Sequence, residues 1–266
     1  MHIPDTLNFK TFVITLPEAK ERQVHMTKML NNLGIPFAFF DAVDGRGFDV
    51  PSHPAYNKTL RRLYFGRDMT GGEMGVMLSH RKIYEQMIAE NIDMALIFED
   101  DALVIGEGFR AVVEALVSGE QDFDLVRFLG SDKVAALRQY KKRMITNQHS
   151  LNRLRTTPGG AHAYIIRRSG AEKMLKVLRR VYLPIDTLMG HIWLSGLKAY
   201  VTQPGMVIQD EAQEQFIGAA RFRKKPETRG AMRALFPLTR AGFKAYEGVM
   251  KNISYTRGRF QDRRGG

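Results

Sequence analysis

The stretch Gly71–Val104, GGEMGVMLSHRKIYEQMIAENIDMALIFEDDALV, decides the fold. Its first half carries Met74, Met77, Leu78, Ile83, Met87 and Ile88 as candidate core positions. Their spacing predicts a helix from Gly71 to about Glu90 with one face toward a core. Met94 to Phe98 is a short unbroken apolar run, the signature of a strand buried on both faces. Glu99, Asp100 and Asp101 follow at its carboxyl end. In open α/β sheets ligands bind outside the carboxyl ends of the strands. Three adjacent carboxylates raise one another's pKa unless a cation neutralises them, and hard divalent ions share such oxygens with substrate phosphates. A metal–diphosphate site is one use of this triplet. A solvated turn whose acids cap the next helix is the other, and spacing alone does not choose.

Outward from this stretch the chain alternates. Phe12 to Leu16 reads as a first strand ended by Pro17. Positions 18 to 33 have helical spacing through Val24, Met26, Met29, Leu30 and Leu33, with Gly34 as C-cap. Pro36 to Phe40 is a second strand, and Asp41 to Gly47 a loop. This β-α-β opening favours parallel pairing. Val50 to Thr70 reads as a loop with a short helix. Further on, Phe109–Leu116 and Ser169–Arg180 read as helices, and Asp124–Leu129, Ala161–Ile166 and Ala199–Thr202 as strands. Positions 133 to 156 are basic and polar without a firm period, and are expected to be a mobile insertion.

With 266 residues and 44% hydrophobic content the chain can bury a sizeable core. It has no cysteine, which excludes disulfides and thiolate zinc sites and suits a cytoplasmic protein. No apolar run reaches the roughly 20 residues that span a bilayer, and the opening is too short for a signal-peptide core. Of the net charge of +12, the segment from Gly218 to Gly266 holds +10, with thirteen Lys/Arg against three acids. Two domains are expected: a near-neutral body over 1–217 and a basic helical tail over 218–266. In the tail Met232, Leu235, Phe236, Phe243, Tyr246, Val249, Met250 and Ile253 recur at helical steps among bases, with Pro237 dividing it into two short helices. Such a tail either lies on an anionic membrane, at the inner face of the cytoplasmic membrane, or packs on the body.

The Gly71–Val104 string strongly resembles the family 25 glycosyltransferases of lipooligosaccharide biosynthesis, where a G-E-x-G-C-x-x-S-H helix precedes a strand ending in E-D-D. Other blocks resemble the family in the same order: FVITLPEAKERQVHM from Phe12, FFDAVDGR from Phe39, GGAHAYIIRRSGAEKML from Gly159 and LPIDTLM from Leu183. The resemblance spans roughly 10 to 210. It departs at Thr15 (usually Asn), Val76 (usually Cys) and Arg168 (where Ser lies nearby).

The resemblance implies a GT-A-like (nucleotide-diphospho-sugar transferase) α/β fold, with a mixed, mainly parallel sheet flanked by helices. It implies an inverting hexosyltransferase using Mn2+ or Mg2+ and a UDP-sugar, UDP-galactose or UDP-glucose. The acceptor would be a lipooligosaccharide or other glycan. Asp101 and Glu99 would ligate the metal. Leu16, Arg22, Ser79, His80, Glu99 and Asp100 would face the donor. Asp186 is the first choice for the base that deprotonates the acceptor, and Glu73 the second. Asp186 also suits a helix N-terminus, His80 a buried core position, and Arg22 an exposed helix face. A further metal ligand is expected from Asp210, His191 or water. Two rival functions remain: an inactive nucleotide-sugar-binding scaffold, and a basic nucleic-acid binder. The second leaves the carboxylates unexplained and has no aromatic platform.

Overall fold

A computed structural model describes residues 2–119, 122–130, 132–156, 158–210 and 230–264. In chain order the elements are β1 (Phe9–Thr15), α1 (Lys20–Asn32), β2 (Ala38–Asp41), α2 (Lys58–Phe65), α3 (Gly71–Ala89), β3 (Met94–Glu99), β4 (Ala102–Val104), α4 (Phe109–Ser118), β5 (Leu125–Arg127) and α5 (Asp132–Ala135). They continue with β6 (Gln139–Met144), β7 (Ser150–Leu154), β8 (Ala163–Arg167), α6 (Arg168–Val177), α7 (Ile185–Gly190), α8 (Ile192–Ser195), β9 (Ala199–Gln203), β10 (Val207–Gln209) and α9 (Gly230–Arg264).

Eight strands form one sheet in the order β2-β1-β3-β8-β5-β9-β7-β6, and β10 pairs with β4 in a small second sheet. β1 is parallel to both β2 and β3, and β5 is parallel to β9. The antiparallel pairings of β8 and β7 with their neighbours leave those two strands running against the other six. The architecture is therefore mixed α/β, mainly parallel in strand direction, with helices on both faces.

Period-two alternation sorts the core into two layers. Ala95 and Ile97 of β3, with Tyr164 and Ile166 of β8, pack on one face with Met74, Met77 and Tyr84 of α3 and Met174 of α6. Met94, Leu96 and Phe98 pack on the other with Met26 and Leu30 of α1 and Val112, Val113 and Leu116 of α4. Every residue from Met94 to Phe98 is buried, as the apolar run requires. At the start of α3, Thr70 Oγ1 accepts from Glu73 N at 3.1 Å and Glu73 Oε2 accepts from Thr70 N at 2.8 Å. This capping box sets where the helix begins.

Four expectations are corrected. Val24 is 68% exposed, because it lies two residues, about 160° of helix, from the buried Met26. Ile88 is 36% exposed, one position round from the buried Met87 in the last turn of α3. Positions 133–156 are not a mobile insertion: β6 and β7 form a hairpin, and β7 joins the sheet beside β9. Its polar pattern hid a strand because the inward charge on β7 is paired. Arg153 donates from Nε to Asp262 Oδ2 at 2.8 Å and from Nη2 to Oδ1 at 3.0 Å, both side chains being buried.

The fourth concerns Pro237, which lies inside one 35-residue helix rather than between two pieces. It is exposed in the second turn, where the missing amide costs one hydrogen bond at a wet surface. Contacts along the rest of α9 hold the helix. Phe243 stacks on Tyr64 at 4.4 Å and meets Phe65 edge-on at 5.5 Å. Glu247 accepts from His191 Nε2 at 2.7 Å, and Asn252 Oδ1 accepts from Arg155 Nε at 2.8 Å. Positions 218–229 of the expected tail lie outside the described residues. Among the described residues no helix is long and apolar enough to cross a membrane.

Candidate active site

The carboxyl ends of β1 and β3 lie side by side, with Ile14 opposite Glu99. β8 starts at the same edge and runs the other way, with Ala163 opposite Phe98. This brings His162, just before β8, beside the acidic triplet, and its carbonyl accepts from Glu99 N at 2.9 Å. Ligand atoms of Glu99, Asp101 and His162 all lie within 4.8 Å of one another. His162 Nδ1 is 3.3 Å from Glu99 Oε2 and 3.5 Å from Asp101 Oδ1. Yet Nδ1 and Asp101 Oδ1 are buried with no hydrogen bond of acceptable geometry. Two carboxylate oxygens and an imidazole nitrogen converging in this way fit a divalent cation.

The electrostatics of the cluster favour positive charge there. Burial opposes charge on His162, but Asp101 and Glu99 outweigh it and push the imidazole up to about 10. Burial alone would raise Glu99, yet the neighbouring His162 and His80 imidazoles hold it well below the usual carboxylate range. Asp100 is raised, chiefly by burial, against Thr15 and Arg22.

A layer of further side chains holds the cluster. His80 is fully buried on α3 and lies 3.4 Å from Glu99 Oε1 through Nε2. Its Nδ1 is 2.7 Å from Tyr164 Oη, which is 2.7 Å from Tyr84 Oη. Gln209 of β10 donates to Asp101 Oδ2 at 2.9 Å. Asp100 turns toward β1 and α1 instead, accepting from Thr15 Oγ1 at 2.7 Å and Arg22 Nη1 at 2.8 Å. The hydroxyl of Thr15, where the resembled family usually has Asn, is thus spent on Asp100.

Two cavities flank the cluster. One, of about 130 Å³, is lined by Leu16, Arg22, Ser79 and Glu99–Asp101, by the loop 42–46, and by Gln209. The other, of about 510 Å³, includes His162, Gly159, Gln209 and Asp210. Glycines explain the shape of the first. A Cβ on Gly71 would sit 2.0 Å from Gly45 O, one on Gly45 1.9 Å from Gly71 O, and one on Gly75 2.5 Å from Val43 O. Only bare backbone lets the loop touch the start of α3. Ser79 Oγ then accepts from Val43 N at 2.8 Å and donates to Gly75 O at 2.8 Å. Gly71→Ala is expected to push the loop outward and to destabilise the fold by about 1–3 kcal/mol, since backbone cannot yield as a side chain can. A melting temperature equal to that of wild type would reject this account.

The remaining expected residues lie elsewhere. Glu73 does not line either cavity; besides its capping role it faces Arg67 at 3.4 Å and Arg61 at 4.0 Å. Asp186 is buried at the start of α7, where Oδ1 accepts from Thr187 N at 2.6 Å and Oδ2 from Gly160 N at 3.2 Å. Arg127, at the end of β5, donates to Pro158 O at 2.9 Å and Gly160 O at 3.4 Å, so the loop before His162 is gripped from two sides. Burial pushes the Arg127 guanidinium down to about 10, against Asp186. His191 is occupied by Glu247 and Thr187 O. Asp210 meets the cluster through its backbone N, which donates to Asp101 O at 2.8 Å; it also lines the second cavity. The sequence reading therefore missed His162, Gln209 and Gly159. His162 stood inside the predicted strand Ala161–Ile166, but only antiparallel pairing with β3 makes it a neighbour of Glu99.

Comparison with known proteins gives the family. Residues 8–189 match the family described as glycosyltransferase family 25 (LPS biosynthesis protein). The chain is 29% identical over 256 residues to "Inactive glycosyltransferase 25 family member 3" of Homo sapiens, covering 85% of this chain and 40% of that protein. It is 25% identical to "Procollagen galactosyltransferase 1-A" of Xenopus laevis, covering 70% of this chain and 31% of that protein. A "Putative glycosyltransferase" of Haemophilus influenzae is 25% identical, covering 75% and 70% respectively. The chain thus spans well under half the length of the first two relatives. With the motif blocks, the strand-end cluster and this match over most of the chain in agreement, the protein belongs to glycosyltransferase family 25.

Proposed function

We propose that the protein is an inverting glycosyltransferase that moves a hexose, galactose before glucose, from a UDP-sugar to a glycan acceptor of the lipooligosaccharide type. The observation that supports this reading is the Glu99–Asp101–His162 cluster lying between two cavities at the carboxyl edge of the sheet. The cavity beside Arg22 and the 42–46 loop takes the nucleotide diphosphate, and the cavity beside Gly159 takes the acceptor. A divalent ion, Mn2+ or Mg2+, held by Glu99, Asp101 and His162, supplies charge neutralisation for the departing diphosphate.

The chain's own residues do the rest. His80 and Gln209 orient Glu99 and Asp101, and Thr15 with Arg22 fixes Asp100 at the donor wall. Asp186 is the proposed base. Gly159, in the wall of the acceptor cavity, lies beside this carboxylate: a Cβ on it would sit 3.0 Å from Asp186 Oδ2. Glu73, held by its cap and two arginines, serves the start of α3. The galactosyltransferase name of one relative supports the choice of sugar; the word "inactive" in another's name keeps a donor-binding scaffold as the rival.

The test is UDP release from a panel of UDP-sugars with Mn2+, Mg2+ or EDTA, with calorimetric donor binding on the same samples. Turnover with one donor that requires the ion supports the reading. Donor binding without turnover on any offered glycan favours the scaffold, and no binding to any UDP-sugar rejects both. Asp186→Asn is expected to lower kcat by roughly 10²–10⁴-fold with donor affinity unchanged, as loss of a general base does. Equal kcat in the variant would remove Asp186 from the base role.

A further inference from the structure

α9 is apolar on two opposite faces, and among the described residues only one of them has a partner in the fold. The inner face carries Phe243, Tyr255, Gly258 and Asp262, all buried against the body. On the outer face Leu235, Leu238, Tyr246, Val249, Ile253 and Phe260 are between 46% and 75% exposed. At 100° per residue these six fall within an arc of about 80°, a continuous stripe some 38 Å long from Leu235 to Phe260. A helix that only packed inward would carry polar side chains there.

The charges around the stripe are of one sign. Arg257, Arg263 and Arg264 are exposed along its borders, and Arg264 lies over the Phe260 ring at 4.3 Å. Arg233 and Lys244 are exposed on the same helix. Its two acids face the body, Glu247 toward His191 and Asp262 toward Arg153. A second copy laid on this stripe would bring like charges together. An anionic surface with an apolar interior would not.

We propose that the outer face of α9 docks the protein flat on an anionic lipid surface, with the six apolar side chains entering the headgroup boundary and the bordering arginines meeting lipid phosphates. The inner face keeps the helix fixed to the sheet, so docking orients the whole enzyme rather than tethering it. This inference does not rest on the donor or acceptor assigned above.

The experiment is flotation of the full chain with vesicles of phosphatidylcholine alone or with 30% phosphatidylglycerol, at low and high salt. Wild type is expected to float with the anionic vesicles and to be released by salt. A triple variant Leu238→Asp, Val249→Asp, Ile253→Asp is expected to stay in solution. Arg257→Gln, Arg263→Gln, Arg264→Gln is expected to bind about a hundredfold more weakly, at about fivefold per base. All six positions are exposed, so helix content and melting temperature check that each variant folds as wild type does. Failure of wild type to float with anionic vesicles, or equal flotation of the aspartate variant, would overturn the proposal. So would a dimer in sedimentation velocity that the aspartate variant splits while vesicle binding is absent, since a second copy would then cover the stripe.

Discussion

Asp101→Ala is expected to cut metal-dependent turnover by about 10²–10³-fold, the several kcal/mol that an ion contributes to a developing phosphate charge. His162→Ala should do the same, although its position in the sequence drew no attention. The more discriminating readout is the ion itself. Titrating Mn2+ into each variant by calorimetry should show affinity lost in Asp101→Ala and His162→Ala. In Gln209→Ala it should be weakened by about 10–100-fold, the usual cost of removing a side chain that orients a ligand. His191→Asn, by contrast, should bind Mn2+ as wild type does, because His191 is committed to Glu247 and Thr187 far along the chain from the triplet. Wild-type affinity in His162→Ala, or its loss in His191→Asn, would mean that a different set of side chains holds the ion.

The second large effect lies at the far end of the molecule. Asp262→Asn is expected to destabilise the fold by about 3–5 kcal/mol, because it leaves the buried Arg153 charge uncompensated. At the scale of a chain this size that is a fall in melting temperature of roughly 10 °C. Four groups meet there: Arg153, Asp262, Lys142, whose Nζ is 4.0 Å from Asp262 Oδ1, and Tyr200, whose Oη donates to Asp262 Oδ1 at 2.6 Å. Gly258 permits the approach, since a Cβ there would lie 2.6 Å from the Arg153 guanidinium. Burial pushes the Asp262 carboxyl up, but Arg153 and Tyr200 together hold it below the usual range. A carboxylate depressed in the folded state stabilises above its unfolded pKa and loses that contribution as pH falls through the folded value. The Asp262→Asn deficit should therefore be full at neutral pH and shrink only under strongly acidic conditions. A deficit below about 1 kcal/mol at neutral pH would show the pair to behave as an ordinary surface bridge.

Most of the sheet was legible because its signals are local. The run Met94–Phe98 read as a strand, and Gly71-Gly72-Glu73 as the opening of a helix. The glycines of AVDG and GGE were legible as a motif but not as a cause. Only the structure shows that Gly45, Gly71 and Gly75 exist so that one backbone can lie against another. The hairpin of β6 and β7 was illegible for the opposite reason. Its alternation looked polar because Arg153 is an inward charge, and the acid that pairs with it lies 109 positions later.

By itself the sequence determined the alternating α/β order, the acidic triplet at a strand end, and the family to which several motif blocks in one order belong. Those are properties of neighbours within a few tens of residues, where periodicity and spacing carry the physics. The tertiary structure alone decided that His162 joins Glu99 and Asp101 and that Gln209 steadies Asp101. It also decided that Asp100 turns away to Thr15 and Arg22, and that α9 is one helix with a second apolar face turned outward. Each of these depends on strand direction and sheet order, which bring together residues whose separation along the chain carries no trace of the contact.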